Sequence, residues 1–493
     1  MKKKPILKIL IHLLIIASWL GIMFLLVEKE GLIKIKTGEV QFRTMIPEDI
    51  QLDIWKGIFI NDQWIGYVHT MLGRNNLNNS KGYTVHSFSF LKFKMFNQLT
   101  GLAINALQEL DSEFRMINFN VRVLGIADIF FKGKRLGDKV YLDIYHDRNR
   151  YSKVFDVGDD LFLEQSILSI YRGKGLKIGD SYTLNILNPL TINAEQIRVE
   201  VVGKDEDNLI METKFAGLTS RSWIDQNGVV IREETPNGWV MKRVSEEAID
   251  QYLIQSKSSA VDILRETSVR SKGEVKDPRH VKSLLIKVTG IDISKFSLDG
   301  TRQKIIDQIK SIVKISSVFT NPEEAMELPY RGNKLRKFLE PSTWIDCEDS
   351  QIKAKAAEIV GYQKNSWLAA QKISKWVFKN IDKVFSPGIP VATSVLLNKK
   401  GDCNEHTVLF IALARAAGIP AEMCAGLVYL NDRFYYHAWT KVFVGKWVHL
   451  DPTFGQPVAD ATHFELISGD FSDQTRIATT IGKIQIEILE AKD

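Results

Sequence analysis

Cysteine is scarce. Cys347, Cys403 and Cys424 are the only three in 493 residues. An exported domain stapled by disulfides would carry more, in even number, so a disulfide framework is excluded and at least one thiol stays outside any intrachain bridge. Two arrangements remain open. Cys347 and Cys424 could bridge beside a reduced Cys403, or both could be small buried hydrophobes. Charge of one sign is scarce as well: 65 Lys and Arg face 59 Asp and Glu, a net +6 spread along the chain. No basic stripe with interleaved aromatics occurs, which excludes nucleic acid as a partner. Repeats and low-complexity tracts are missing too, so solenoids and disordered linkers do not organise the chain. What remains is ordinary globular composition, 45% hydrophobic and 25% charged, long enough for two or three folded units.

One long apolar run stands out. Met1 to Lys8 is basic and Ile9 to Val27 is almost wholly apolar. As a helix the run would reach about 28 Å, near the thickness of a bilayer's hydrocarbon core. A cleaved signal peptide would have a shorter apolar stretch followed by a small-residue site, whereas Ala17-Ser18-Trp19 puts an indole there. Residues 1–30 are therefore expected to be a cytoplasmic basic tip and a transmembrane signal-anchor. The basic tip stays inside, making the chain a single-pass protein of the cell inner membrane with everything after Glu30 on the periplasmic, extracytoplasmic side.

Residues 38–245 read as a β-rich domain. Trp55–Ile60 and Trp64–Val68 flank Asn61-Asp62-Gln63, Ile197–Val202 alternates with period two, and Asn227-Gly228 and Asn237-Gly238 sit between strand-like runs. A largely antiparallel sheet is expected, with an open barrel as one arrangement it allows. No nucleophile–base pair or metal-ligand spacing occurs in it. Residues 246–335 read as a connecting module, 336–475 as a second folded domain and 476–493 as a tail. Ile352–Val360 and Ser366–Ile381 have helical spacing, and the overall class is α+β.

The chemistry concentrates after Gly401. Asp402 followed by Glu405 is a capping-box pattern, and Val408, Leu409, Ile411, Ala412 and Ala416 form an apolar face ending before Gly418 and Pro420. Cys403 is thus the first residue of a helix, where unpaired N–H groups and the positive end of the dipole stabilise a thiolate. Downstream, Ala421–Leu430, Phe434–Val444 and Trp447–Pro452 read as three strands. His437 on the second and Asp451 on the third can serve as base and orienting acid for the thiol. Their numbers add to an even value. A two-residue turn would send the two side chains to opposite faces, so an odd-length loop or a bulge is required, and a left-handed Gly445 closing a three-residue loop would supply it. His406 reads as a structural neighbour and Trp439 as packing beside the base. His449 is assigned to the side of its strand away from Asp451. The Cys–His–Asp order accounts for all three blocks without a metal or cofactor.

Gly401-Asp402-Cys403-Asn404-Glu405-His406, His437-Ala438-Trp439 and Leu450-Asp451-Pro452-Thr453 together resemble the core of the transglutaminase-like superfamily, in the manner of a bacterial membrane-anchored member. The resemblance covers roughly Leu339 to Gly469. It implies a papain-like α+β core with Cys403 as nucleophile, His437 as base and Asp451 as orienting acid. It also implies attack on an amide carbonyl of a peptide or protein substrate and a thioester acyl-enzyme. Three functions remain open on these residues: a cysteine hydrolase or protease, a transamidase of the protein-glutamine gamma-glutamyltransferase type, and a non-catalytic scaffold retaining the fold.

Overall fold

The computed structural model describes residues 51–493 except 78–79, 96–97, 113–114, 126–128, 147–148, 157–175, 189–192, 216–217, 236–237, 257–259, 297–299, 343, 385–389 and 470. It separates into two compact units that divide between Glu266 and Thr267.

The first unit is built on one antiparallel sheet of fourteen strands, β1 to β14, between Leu52 and Arg243. Consecutive strands pair, except β8 (Asn149–Asp156) and β9 (Ser181–Asn188), which form the two edges. The seam is β1 (Leu52–Ile60) against β14 (Trp239–Arg243). Period-two alternation produces the fold. In the strand Gln98–Leu110, Leu102, Ile104 and Ala106 are buried while Leu99 and Leu107 are exposed. Ile60 pairs with Gln63, and Asn61 and Asp62 both have positive φ, 47° and 61°. The turn is therefore the two-residue type I′ form, one residue shorter than the loop read from sequence. A helix, α1 (Glu246–Gln255), starts at Ser245, whose hydroxyl accepts from the Ala248 N–H, and its Tyr252 stacks on Trp64 at 5.0 Å.

The second unit holds a nine-stranded sheet. Its strands are β15 (Val269–Lys272), β16 (Ser283–Thr289), β17 (Gln303–Asp307), β18 (Ile312–Ser316), β21 (Ala421–Leu430), β22 (Arg433–Phe443), β23 (Trp447–Leu450), β24 (His463–Gly469) and β25 (Gln485–Lys492). They run in the order β17-β18-β16-β25-β15-β22-β21-β24, with β23 on β22. Two short strands, β19 (Asp382–Lys383) and β20 (Lys400–Gly401), pair separately. Four helices complete the unit: α2 (Ser350–Val360), α3 (Ser366–Asn380), α4 (Ala392–Asn398) and α5 (Cys403–Ala416). Asp349 and Asn365 cap α2 and α3 through their side chains. The four helices share an apolar core with Ala421, Met423, Val442, Val448 and Leu450 of the sheet. The segment 246–335 thus supplies four strands to this sheet, and β25, in the stretch read as a tail, lies between β15 and β16. Such non-local pairing leaves no mark in local periodicity.

Two expectations are corrected. The described residues are mostly β, 50% strand against 21% helix, rather than evenly α+β. The helical texture after Leu339 covers only part of a unit whose floor is a nine-stranded sheet. No helix among the described residues is long and apolar enough to cross a membrane, so a transmembrane helix and a single-pass inner-membrane location have no support in the structure. The apolar run Ile9–Val27 that suggested them lies outside the described residues.

Candidate active site

The site begins with a helix start. Asp402 is the N-cap of α5, its carboxylate accepting from the Asn404 N–H at 3.0 Å, while the Glu405 carboxylate accepts from the Asp402 N–H at 2.8 Å. This completed capping box fixes Cys403 as the first helical residue. A Cβ on Gly401 would lie 2.2 Å from the Glu405 Cβ, so the box needs glycine there. Every residue from Cys403 to Ala414 is buried, on all sides of the helix, so the apolar stripe read from sequence understates how central this helix is. All three cysteines are unbridged and buried, which settles the alternatives in favour of three thiols.

α5 packs against β21 and β22, and β22 carries His437. β22 and β23 pair as Thr440 with Leu450 and Phe443 with Trp447, leaving a three-residue loop in which Gly445 has φ +107°. The parity condition is met. One further step in this register sets Trp439, rather than His437, opposite position 451, so His437 sits one pleat along on the same face. There the His437 Nε2 and the Asp451 Oδ2 lie 2.8 Å apart, both side chains fully buried. Asp451 Oδ1 accepts the Thr453 and Phe454 N–H groups at 2.7 and 3.0 Å. Phe454 and Trp439 flank the His437 ring at 4.9 and 6.1 Å.

A second imidazole reaches the same carboxylate. His463 Nε2 is 3.1 Å from Asp451 Oδ2, and its Nδ1 faces Asp460 Oδ1 at 3.3 Å. Burial alone would raise the Asp451 pKa. The imidazoles of His437 and His463 outweigh it and hold the carboxyl well below its usual range. Sequence reading missed His463 and Asp460. No spacing links them to the motif, and only the pairing of β24 with β21 carries them to it.

His406 is buried and its Nδ1 donates to the Asp402 carbonyl at 2.6 Å, a structural contact at the helix start. His449 does not point away from Asp451. Residues two apart on a strand share a face, and His449 lies on the side of Cys424, Trp439 and Glu465. Trp439 Nε1–H donates to His449 Nδ1 at 3.1 Å, and the Cys424 Sγ is 3.7 Å from the same nitrogen. Burial pushes the Cys424 thiol up and the His449 imidazole down, so this pair is a neutral thiol beside a neutral ring. Cys424, His449 and Glu465 bring donor atoms within 4.8 Å, as do His437, Asp451 and His463. In the first group Trp439 takes up His449 Nδ1, and Lys441 lies 3.5 Å from Glu465. In the second, the Thr453 and Phe454 N–H groups take up Asp451 Oδ1.

Gly426 faces His437 across β21 and β22. A Cβ there would stand 2.0 Å from the Phe464 carbonyl oxygen, a backbone atom. Gly426→Ala is expected to part β21 from β24 and cost about 3 kcal/mol, the upper range for overpacking. Urea unfolding of the two proteins measures this, and an unchanged midpoint contradicts it.

Residues 353–452 match the family model described as Transglutaminase-like superfamily. No curated protein matches. Among solved structures, a candidate cysteine protease from Cytophaga hutchinsonii is 15% identical, over 46% of this chain and 85% of that one, with a TM-score of 0.30. A β-barrel-like protein from Brucella abortus, a domain of unknown function, is 11% identical over 40% and 98%, TM-score 0.28. A candidate protease from Parabacteroides distasonis is 12% identical over 73% and 68%, TM-score 0.21. At such scores these likenesses carry no argument about fold or activity. The family match spans both Cys403 and His437 and ends one residue past Asp451. Over residues 353–452 this chain is similar to the transglutaminase-like superfamily.

Proposed function

We propose that the chain is a cysteine hydrolase acting on amide bonds of peptides or proteins, with Cys403 as nucleophile, His437 as general base and Asp451 as the acid that orients it. The observation that carries this reading is the buried 2.8 Å contact between His437 Nε2 and Asp451, on a strand packed against the helix that begins at Cys403. Because Nε2 is committed to the carboxylate, Nδ1 is the nitrogen that takes the thiol proton. The thiolate attacks the amide carbonyl carbon, and the tetrahedral adduct collapses as His437 returns the proton to the departing amine. A thioester on Cys403 remains. Water, deprotonated by His437, attacks it, releasing the acid and restoring the thiol.

The test incubates wild type and Cys403→Ala with a peptide library, with and without a primary amine. Cysteine-dependent cleavage supports hydrolysis. Cysteine-dependent incorporation of the amine replaces it with transamidation, since both reactions share the thioester. No turnover by wild type sinks the catalytic reading and leaves a scaffold.

A labelling result follows from the same chemistry. Cys347, Cys403 and Cys424 are all buried, at 2%, 0% and 0% exposure, so access does not separate them. Burial raises the Cys347 and Cys424 thiols, whereas Cys403 has the helix terminus to stabilise its thiolate. Iodoacetamide at pH 7 is expected to modify Cys403 at least about tenfold faster than the other two. Site-resolved mass spectrometry reads the ratio, and equal slow labelling refutes the activated thiol.

A further inference from the structure

A series of contacts leads from the His437 ring out to a cation. Phe454 lies 4.9 Å from the His437 ring. Its neighbour Gly455 has a positive φ of 71°, and a Cβ there would meet the Phe378 ring at 2.8 Å, so Phe378 of α3 lies against this turn. Lys383 Nζ stands 3.8 Å from the centre of the Phe378 ring, a cation–π contact that holds the ammonium over an exposed aromatic side chain.

The backbone sets Lys383 beside the nucleophile as well. In β19 it pairs with Gly401 of β20, two residues before Cys403, and the Val384 N–H donates to the Gly401 carbonyl at 3.1 Å. One strand spacing and two residues of chain put the Lys383 and Cys403 Cα atoms at most about 12 Å apart, the reach of roughly three extended residues. Asp382 and Lys383 alternate across the strand, so the acidic neighbour takes the other face. Lys399 and Lys400, both exposed, lead into β20. Burial holds the His406 imidazole down, and the Lys383 charge adds to that effect, so the ammonium is felt inside the helix that begins at Cys403. The carboxylates nearest Cys403 in sequence, Asp402 and Glu405, are buried in the capping box. Arg279 lies 4.9 Å over Phe454 and binds Asp460 at 2.9 Å.

We propose that Lys383 is a specificity-determining residue that selects peptides with an acidic side chain near the scissile amide. A peptide reaching Cys403 along the wall of Phe454 and Phe378 sets that carboxylate against the ammonium. The inference rests on the reading of Cys403 as nucleophile given above.

Two readouts on the full chain decide it. Cys403 is alkylated with iodoacetate, which carries a carboxylate, and with neutral iodoacetamide, and the ratio of the two rates cancels the reactivity of the thiol itself. Lys383→Met keeps an apolar stem on Phe378 without the charge. It is expected to lower the ratio about fivefold at low salt, on the order of the effect of one unit charge about 8 Å away at a protein's rim. Lys383→Arg is expected to retain the wild-type ratio. An unchanged ratio in Lys383→Met overturns the proposal. In wild type, a peptide with glutamate beside the scissile amide is expected to show a kcat/KM about fivefold above its glutamine counterpart. Both peptides carry an amidated C-terminus, so only the side chain differs. Equal values overturn the proposal, even where Lys383→Met fails to fold. A Cys403 that labels no faster than Cys424, in a protein that cleaves neither peptide, removes the reading of Cys403 as nucleophile instead, and the role of Lys383 with it.

Discussion

Asp451→Asn is expected to lower Cys403-dependent turnover by about three to four orders of magnitude, the scale seen when the acid of a nucleophile–base–acid triad becomes an amide. Asp451 Oδ1 is fixed by the Thr453 and Phe454 N–H groups, so an asparagine would keep its carbonyl oxygen there. Its NH2 would then face the Nε2 atoms of His437 and His463, which face Oδ2 in the wild type. Donor against donor is relieved at His437 by moving the proton to Nδ1. That is the wrong tautomer for taking a proton from Cys403. The same change removes a buried anion from between two imidazoles and is expected to cost about 3–5 kcal/mol of stability. Steady-state kinetics and urea unfolding separate the two effects, and a folded variant retaining a tenth of wild-type kcat/KM would contradict the assigned role. Cys403→Ala serves as the zero of activity.

Acid is expected to unfold the second unit from about pH 6.5 downward, well above the carboxylate range. Burial pushes His406 down to about 4, against about 6.5 in an unfolded chain. Above pH 6.5 both states are neutral at this site and it adds no pH dependence. Between 6.5 and 4 the unfolded chain takes a proton that the folded one refuses, so stability falls as pH falls. The loss reaches about 3 kcal/mol at pH 4 and stops there. His449, also held neutral by burial, acts in the same direction. Asp451 and Asp460 have depressed values, so their stabilisation fades only as pH drops below the ordinary carboxylate range. Urea midpoints between pH 7.5 and 4 give the slope. His406→Gln should flatten it by one group's share, and an unchanged slope would show that His406 does not titrate on unfolding.

Local pattern carried much of this site. The capping box from Asp402 to Glu405, the strands holding His437 and Asp451 and the three-residue loop at Gly445 were all written in neighbouring residues. Parity alone required an odd-length loop or a bulge. What local pattern could not carry is partnership across the fold. His463 and Asp460 reach Asp451 because β24 crosses to β21. Arg302, far upstream, donates to the carbonyls of Ala459, Asp460 and His463 and so braces the same corner. The face of His449 was legible in principle, since 449 and 451 share parity. Residues 246–335 looked like a connector because β22 and β25, which tie β15 and β16 into the sheet, lie far downstream in the chain. The membrane assignment drew on a run of composition at Ile9–Val27 that no described helix supports.

The place of β25 sets an order of assembly. It is the strand that joins β17-β18-β16 to β15-β22-β21-β24, pairing antiparallel with β16 and parallel with β15. During synthesis the Cys403 helix and the His437 strand emerge roughly 50 residues before β25 is finished, a lag of roughly 3–10 s at ribosomal rates. Through that interval the two halves of the sheet have no strand between them. The nascent chain thus carries Cys403 before the two halves of the sheet are joined, and β25 acts as the latch that completes the sheet.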